Sequence, residues 1–293
     1  MSIEVHLVDG TYELFRHFFA VPSHVTEDGR EVGAVRGTAG SVLRMLEEGA
    51  THVAVATDHV IESFRNDLYG PYKDGSGVDP ALLSQFTLLE EVLEALGVTV
   101  TAMVEHEADD ALAALAAVAA ADDRVDKVWI CTPDKDLAQC VGGKVAQLDR
   151  RKGVVVDAAG VEEKYGVPPG SIPDWLGLVG DSADGFPGLP GWGAKSAAAV
   201  LRAFGHIDAI PADPAAWHVK VRSAAALADT LAENMADALL FRRLATLEVD
   251  APVPGDVDAL RWTGPAEGAE ALCASIDADG LARRAAALAE GRA

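Results

Sequence analysis

Two hydrophobic patterns alternate along the first half of the chain. Short apolar runs rich in β-branched residues predict buried strands, and segments with an apolar residue every three or four positions predict amphipathic helices. The strands are predicted over 3–10, 51–58, 98–104 and the start of 127–137, with a hairpin or two short strands over 144–157. The helices are predicted over 11–20, 34–49, 80–96 and the alanine-rich part of 104–121. This alternation is typical of a mostly parallel α/β sheet with helices on both faces.

The pattern changes near residue 158. Residues 160–204 are rich in glycine and proline, and residues 205–250 are alanine-rich with helical spacing. The remaining tail predicts one or two surface helices, and no further strand is predicted. We therefore predict an α/β domain over 1–160, a helical region over 161–250 and a helical tail over 251–293.

The composition is that of a folded globular protein. Hydrophobic residues make up 49% of the 293 positions, which is enough for a sizeable core. No apolar run reaches about 18 residues, so we predict no membrane span. The N-terminal MSIEVHLVDG has no basic region before an apolar run and does not predict a secretory signal. Three cysteines without CxxC spacing favour the reducing cytoplasm and argue against a zinc site.

The charge changes the picture of possible partners. The formal net charge of −22 argues against nucleic acid, because proteins that bind phosphates usually carry a basic patch. The objection weakens if many acids hold divalent cations, since a bound ion inverts the local charge. The negative electrostatic field of the protein should still slow its association with DNA.

Acidic residues collect at the predicted strand ends. Asp9 and Asp58 each close a strand, and the motif EHEADD (105–110) places four acids at one helix start. One or two acids there are ordinary capping, but four carboxylates repel one another. Asp134 and Asp136 follow the fourth strand. Because sites in such sheets lie beyond the carboxyl ends of the strands, we expect these acids to converge.

A site made of carboxylates favours hard cations with oxygen ligands. We therefore predict Mg²⁺ or Mn²⁺ rather than Zn²⁺. Two such ions about 4 Å apart suit phosphodiester hydrolysis, because one activates the attacking water and the other stabilises the leaving oxygen.

A glycine-rich motif lies in the helical region. PGLPGWGAKSA, within 180–201, has the spacing of a helix–hairpin–helix. Its glycines let the backbone approach a phosphate, and the next helix start supplies N–H donors beside Lys195. Such contacts bind a nucleic-acid backbone without reading its sequence. The alternative is a glycine-rich connector between two helices.

Together these motifs resemble the 5′→3′ exonuclease and flap endonuclease family. The resemblance is collinear over roughly residues 5–250 and rests on VDG (8–10), Asp58, SFR…YGPYK (63–73), EADD (107–110), TPDKDL (132–137) and GDSADGFPGLPGWGAKSA (180–197). The chain is similar to the nuclease domain at the N-terminus of bacterial DNA polymerase I. No polymerase sequence follows, so we expect a stand-alone member of the family. The resemblance implies a PIN-like α/β nuclease domain with a helix–hairpin–helix (H3TH-type) appendage, acting on DNA with 5′ ends or 5′ flaps.

The resemblance also implies residue roles, with two or three metal ions in the site. One ion would be held by Asp9, Asp58, Glu107, Asp109 and Asp110, and a second by Asp134, Asp136, Asp181 and Asp184. The scissile phosphate would be gripped by the catalytic residues Arg65 and Lys73, and a base would stack on Tyr72. The duplex phosphates would be held by Gly188, Gly191, Gly193 and Lys195. Neither a membrane nor a small-molecule substrate is implied, and we expect a monomer.

Some positions depart from the family pattern. An aromatic residue, an arginine, an asparagine and a Gly-Tyr pair are replaced here by Thr57, Ser76, Gly185 and Glu105-His106. All nine expected carboxylates are present, so we expect an intact metal site. The KDGSGVD segment is acidic and poor in cations, which favours a weak or altered preference for flaps.

Two other functions stay open. A protein that binds DNA structures with weak or lost catalysis would explain the acidic composition, but it would have no reason to keep so many repelling carboxylates. A PIN-type ribonuclease would cut single-stranded RNA without a 5′ end, but such nucleases lack the hairpin appendage. Metal-dependent cleavage tests the first alternative, and the choice of substrate tests the second.

Overall fold

The computed structural model describes residues 2–292, which fall into two compact units. The first, here called the sheet unit, comprises residues 2–61, 75–132 and 248–292. The second, here called the helical unit, comprises residues 62–74 and 133–247. None of the helices within residues 2–292 is long and apolar enough to cross a membrane.

Four parallel strands form the centre of the sheet unit. They are β1 (Ile3–Asp9), β2 (His52–Asp58), β3 (Thr99–Met103) and β4 (Val125–Cys131). Their order is β3-β2-β1-β4, and Val5 lies beside His52 on one side and Val128 on the other. β2 is buried over all but its last residue, as expected for a parallel strand covered on both faces. The four strands predicted from the apolar runs are therefore confirmed.

Helices are numbered along the described residues. They are α1 (Gly10–Ala20), α2 (Gly33–Glu47), α3 (Phe64–Leu68), α4 (Pro80–Leu83), α5 (Phe86–Ala95), α6 (Ala108–Ala121), α7 (Ala158–Tyr165), α8 (Ile172–Val179), α9 (Ala194–Phe204), α10 (Ala224–Glu233), α11 (Met235–Ala245), α12 (Ala269–Ser275) and α13 (Asp279–Arg292). In the sheet unit, α6 packs across all four strands, and α1 and α5 pack against β2. Gly10 lets α1 begin close to β2, because a Cβ there would lie 2.6 Å from Cγ1 of Val55.

The helix predicted over 80–96 is two helices, α4 and α5, and the side chain of Gln85 explains the break. Its Oε1 accepts hydrogen bonds from the backbone N–H groups of Ala34 at 3.1 Å and Val35 at 3.2 Å. Its Nε2 donates to the carbonyl of Ala81 at 3.0 Å. The start of α2 has no cap from its own N-cap side chain, so Gln85 supplies the acceptor that these N–H groups need.

The tail forms two helices, α12 and α13, and both belong to the packing of the sheet unit. α12 contacts α5, and α13 contacts α2. Arg284 of α13 forms an ion pair with Glu47 at the end of α2, with 2.7 Å between nitrogen and oxygen. Leu281 and Ala285 of α13 are buried. The tail is therefore part of the core of this unit.

The helical unit contains the predicted hairpin and then only helices. Its strands, β5 (Val145–Asp149) and β6 (Val154–Val156), pair antiparallel, with Gln147 opposite Val156. Its 3₁₀ helices are Asp136–Cys140, Pro169–Ser171, Ile207–Ala209 and Pro214–Ala216, and a further one, Asp258–Leu260, lies in the sheet unit. α8 packs on α11, and the rings of Phe186 and Phe241 stack with centroids 5.6 Å apart.

The compact units do not follow the composition change near residue 158. Residues 133–160 pack within the helical unit, and residues 248–292 pack within the sheet unit. The composition of a segment indicates which secondary structure it forms, whereas the compact units are defined by which elements pack together. The assignment of domains to 1–160, 161–250 and 251–293 therefore stays a prediction.

Candidate functional site

Two predicted metal ligands lie at the ends of neighbouring strands of the sheet unit. Asp9 ends β1 and caps α1: its Oδ1 accepts from the N–H of Tyr12 at 2.8 Å, and its Oδ2 accepts from Oγ1 of Thr132 at 2.9 Å. Asp58 ends β2, and its Oδ1 accepts from the N–H of Ala108 at 2.7 Å. The strand order therefore brings both carboxylates to one edge of the sheet.

Both neighbours of Asp58 in the chain are held by one buried carboxylate. Oγ1 of Thr57 donates to Oε1 of Glu90 at 2.8 Å, and Nδ1 of His59 lies 2.8 Å from Oε2 of the same residue. Glu90 lies on α5 and is buried. The hydroxyl of Thr57, which stands where the family commonly has an aromatic residue, thus helps to fix the end of β2.

The acidic start of α6 is partly a capping structure. Glu107 is the N-cap, and its N–H donates to Oδ2 of Asp110 at 3.0 Å. Oδ1 of Asp110 accepts from the N–H of Glu248 at 2.9 Å. Asp110 is fully buried, while Asp109 is half-buried. Capping therefore involves Glu107 and Asp110, as the simplest interpretation of such a cluster expects.

A tighter cluster of acids lies in the helical unit. Asp136, Asp181 and Asp184 each offer one carboxylate oxygen, and these three oxygens lie within 4.8 Å of one another. All three residues are buried. Asp136 begins a 3₁₀ helix, and its N–H donates to Oδ1 of Asp134 at 2.9 Å.

A tight loop after α8 holds the other two acids of this cluster. The N–H of Asp181 donates to the carbonyl of Phe186 at 2.8 Å, and the N–H of Phe186 donates back at 3.0 Å. Gly185 within this loop has a φ of +86°, and a Cβ there would lie 2.4 Å from the carbonyl oxygen of Pro71. Asparagine tolerates the left-handed backbone but not this contact, which explains why glycine replaces it here.

The cluster fits a hard divalent cation. Its donors are all carboxylate oxygens, which Mg²⁺ and Mn²⁺ prefer. Within residues 2–292, Oδ1 of Asp136 is buried and accepts no hydrogen bond, and the buried Oδ2 of Asp181 is contacted by Nζ of Lys135. Burial, and then the charges of Asp134 and Asp184, raise the pKa of Asp136 well above its usual range. A divalent cation would relieve this repulsion.

Two lysines face the same cluster. Nζ of Lys73 lies 3.3 Å from Oδ1 of Asp184, and the N–H of Lys73 donates to the carbonyl of Asp184 at 3.0 Å. Nζ of Lys135 forms an ion pair with Asp181 and lies 3.7 Å from Oδ1 of Asp136. Burial lowers the pKa of Lys135, but the neighbouring carboxylates raise it more, so its pKa lies above the ordinary value.

The structure does not place Arg65 where a phosphate could reach it. Arg65 is 1% exposed. Its Nε donates to the carbonyl of Leu244 at 2.8 Å, and an Nη donates to the carbonyl of Thr246 at 3.0 Å. The expected grip on the scissile phosphate is corrected to a structural role, because this guanidinium satisfies carbonyls at the end of α11.

Tyr72 and Gly188 also have packing roles. Tyr72 is 3% exposed and lies in the core of the helical unit, so the expected stacking on a base is corrected. Gly188 has a φ of +69°, and a Cβ there would lie 2.3 Å from the backbone nitrogen of Gly180. Gly188 therefore allows close packing against the backbone at the end of α8, and its contact with duplex phosphates stays a prediction.

The remaining hairpin residues line a groove of about 760 Å³ in the helical unit. Its lining includes Gly191, Gly193 and Lys195, from the hairpin and the start of α9. It also includes Lys220 and Arg222, from the segment just before α10. Sequence reasoning missed these two cations. The alternation of cationic and apolar residues in HVKVR was the one sequence signal for Lys220 and Arg222. The fold is needed to bring this segment into the same groove as the hairpin.

Two family models match the chain in succession. Residues 4–166 match the 5′-3′ exonuclease, N-terminal resolvase-like domain, and residues 167–268 match the 5′-3′ exonuclease, C-terminal SAM fold. The chain belongs to the 5′–3′ exonuclease family. The family prediction is thus confirmed, and so is the predicted PIN-like α/β fold with a helical appendage.

Known members of the 5′–3′ exonuclease family include DNA polymerases that are much longer than this chain. DNA polymerase I of Pseudomonas aeruginosa is 35% identical over 264 residues, covering 87% of this chain and 28% of that protein. DNA polymerase I of Bacillus subtilis is also 35% identical over 264 residues, covering 88% of this chain and 29% of that protein. The chain therefore spans a little over a quarter of the length of these relatives.

Solved structures of 5′-nucleases share the fold of this exonuclease-family chain. T5 5′-exonuclease, in a structure with bound zinc ions, aligns with a TM-score of 0.65 at 19% identity over 98% of both chains. The catalytic core of Rad2 in complex with a DNA substrate aligns with a TM-score of 0.63 at 15% identity, covering 98% of this chain and 92% of that one.

Proposed function

We propose that the chain is a metal-dependent 5′→3′ exonuclease and 5′-flap endonuclease that hydrolyses phosphodiester bonds of DNA. The observation that carries the proposal is the buried cluster of Asp136, Asp181 and Asp184, in which Oδ1 of Asp136 accepts no hydrogen bond. A buried group of like charges destabilises a protein unless a cation neutralises it. Membership of the 5′–3′ exonuclease family supports the same activity.

The carboxylates divide into two sets that match the compact units. Metal ligands from the sheet unit would be Asp9, Asp58, Glu107, Asp109 and Asp110, and those from the helical unit would be Asp134, Asp136, Asp181 and Asp184. We propose Mg²⁺ or Mn²⁺ as the metal, with two or three ions bound. When bound, such ions supply an activated water and stabilise the leaving oxygen.

Cations of the chain itself would hold the DNA. Lys73 is part-exposed and fixed beside Asp184 by a backbone and a side-chain contact, so it is suited to bind the phosphate at the reacting bond. Gly191, Gly193 and Lys195 would bind duplex phosphates through N–H groups and charge. Lys220 and Arg222 add two charges to that groove.

The cellular setting is also part of the proposal. No disulfide joins the three cysteines of residues 2–292, which supports the reducing cytoplasm. We propose that the protein works there as a monomer. The net charge of −22 opposes long-range attraction to DNA, so binding should depend on the few cations gathered near the site.

The test is cleavage of a 5′-labelled flap duplex with Mg²⁺, with Mn²⁺ and with a chelator. We compare the unchanged protein with the double variant Asp136→Asn/Asp181→Asn. Asp237→Asn, an exposed acid of α11, makes the same chemical change away from the cluster. We expect metal-dependent cleavage near the junction in the unchanged protein and in the control, and none in the double variant.

Two results would overturn the proposal in favour of another function. Flap binding without cleavage in either metal would indicate a protein that recognises DNA structure only. Faster cleavage of a single-stranded RNA of equal length would indicate a PIN-type ribonuclease.

A further inference from the structure

The ammonium of Lys135 faces two buried carboxylate oxygens of the cluster. It forms an ion pair with Oδ2 of Asp181 and lies 3.7 Å from Oδ1 of Asp136. These oxygens are also well placed to bind a metal, because both are buried and both already face a cation. One lysine therefore lies where a bound cation would have to lie.

The charges of the cluster explain why a cation of the chain belongs there. The carboxyl groups of Asp134, Asp136, Asp181 and Asp184 lie close together, and Asp136 is buried. Nζ of Lys73 lies 3.3 Å from Oδ1 of Asp184 in the same cluster. Without Lys135 the carboxylates of Asp136 and Asp181 would lose the ammonium that faces both of them, and their mutual repulsion would increase.

We propose that Lys135 is the internal counter-ion of the metal-free cluster, and that a divalent cation binds by displacing its ammonium from Asp136 and Asp181. This inference rests on the proposed metal-dependent function. The side chain of Lys135 is 31% exposed, so the ammonium can move towards water on its four-carbon stem. Asp136 and Asp181, in contrast, are fixed by the backbone contacts that hold their loops.

The proposal predicts two opposite effects of removing the charge. Lys135→Gln should destabilise the metal-free protein, because the acids lose their counter-ion. The same variant should bind a divalent cation more tightly, because no ammonium has to be displaced. A lysine that only fills space would change stability alone, and a lysine that orients the metal ligands would weaken metal binding when removed.

The experiment measures Mn²⁺ binding directly, by calorimetry and by the paramagnetic resonance of free Mn²⁺. It compares the unchanged chain with Lys135→Gln and Lys135→Arg, which keeps the charge. Lys152→Gln is the matched control, because Lys152 pairs with Asp149 on an exposed turn of the same unit. We expect Lys135→Gln to lower the dissociation constant for Mn²⁺ by about tenfold. Lys135→Arg and Lys152→Gln should stay within about threefold of the unchanged protein.

Thermal unfolding and NMR complete the test. Lys135→Gln should lower Tm without metal, and saturating Mn²⁺ should remove most of that difference. If Lys135→Gln does not fold, NMR of the unchanged protein still tests the proposal. The side-chain ammonium signal of Lys135 should shift as Mg²⁺ is added, and the signal of Lys152 should not.

Unchanged or weaker Mn²⁺ binding by Lys135→Gln would overturn the counter-ion role, as would an unmoved Lys135 signal at saturating Mg²⁺. Cleavage of the flap duplex by the unchanged protein is measured alongside. Cleavage combined with either negative result would reject the inference and leave the proposed function standing. Absence of both Mn²⁺ binding and cleavage in the unchanged protein would reject both.

Discussion

The motif SFR…YGPYK contains two cations with very different surroundings. Arg65 is enclosed and donates to backbone carbonyls, whereas Lys73 is part-exposed beside Asp184. The difference follows from side-chain chemistry, since the several donors of a guanidinium can satisfy more than one carbonyl at once. Equal charge in one motif therefore does not imply an equal role.

This contrast gives a prediction at the scale of single residues. Arg65→Met should lower the free energy of unfolding by about 2–3 kcal/mol, because buried carbonyls lose their donor. Lys73→Met should change stability by less than about 1 kcal/mol, since its ion pair is part-exposed, but it should slow cleavage by about 100-fold. Urea denaturation and single-turnover cleavage of the flap duplex separate the two effects. An Arg65→Met protein that is fully stable yet inactive would contradict the structural assignment.

At the scale of elements, the groove between α9 and the segment before α10 carries three cations from two parts of the chain. Lys195 alone could bind one phosphate, but Lys220 and Arg222, which line the same groove, extend the binding surface. Each phosphate that a cation binds releases counter-ions from DNA. The groove should therefore determine how strongly salt weakens duplex binding.

The prediction concerns the double variant Lys220→Gln/Arg222→Gln. We expect weaker duplex binding and a slope of log affinity against log salt that is less steep by about 2, because each cation removed leaves one phosphate unbound and lowers the slope by about 1. Fluorescence anisotropy at several KCl concentrations measures both. Arg202→Gln is the control, because Arg202 lies on α9 but pairs with Glu162 away from the groove. An equal weakening in the control would indicate a general charge effect.

The elements that sequence patterns predict well are those with strong local periodicity. The apolar runs locate β1 to β4, and the hairpin over 144–157 is found as β5 and β6. The helix over 80–96 is the instructive failure, because its break depends on hydrogen bonds between Gln85 and α2, fifty positions away. Local spacing contains no information about such a partner.

The candidate site shows the same limit. Carboxylate motifs identify Asp136, Asp181 and Asp184, which the structure brings together. The position of Lys135 inside the cluster could not be predicted, because a lysine between two acids in sequence is usually exposed. The burial of Arg65 depends on α11, which lies far away in the chain.

At the scale of the whole molecule, where the net charge is −22, added salt acts on stability and on DNA binding in opposite directions. Self-repulsion of a strongly acidic protein weakens the folded state, and salt screens it. Salt also weakens the interaction of the groove with phosphates. A single ionic strength therefore cannot maximise both the free energy of unfolding and the affinity for a DNA duplex.

We predict that raising KCl from about 20 mM to about 200 mM increases Tm while it weakens binding to a flap duplex. Both are measured with a chelator present, so that divalent cations contribute to neither. A Tm that falls with KCl would show that attractive ion pairs, such as Arg284 with Glu47, outweigh the repulsion.

The interleaving of the two units along the chain has a consequence for synthesis on the ribosome. The helical unit takes its residues from 62–74 and 133–247, so all of it has been synthesised while α12 and α13 are still to be made. The sheet unit begins first and is completed last, because its packing includes that tail. A nascent chain must therefore leave α5 and α2 without the contacts of α12 and α13 until translation passes α13, and slow translation there would prolong their exposure to chaperones and proteases.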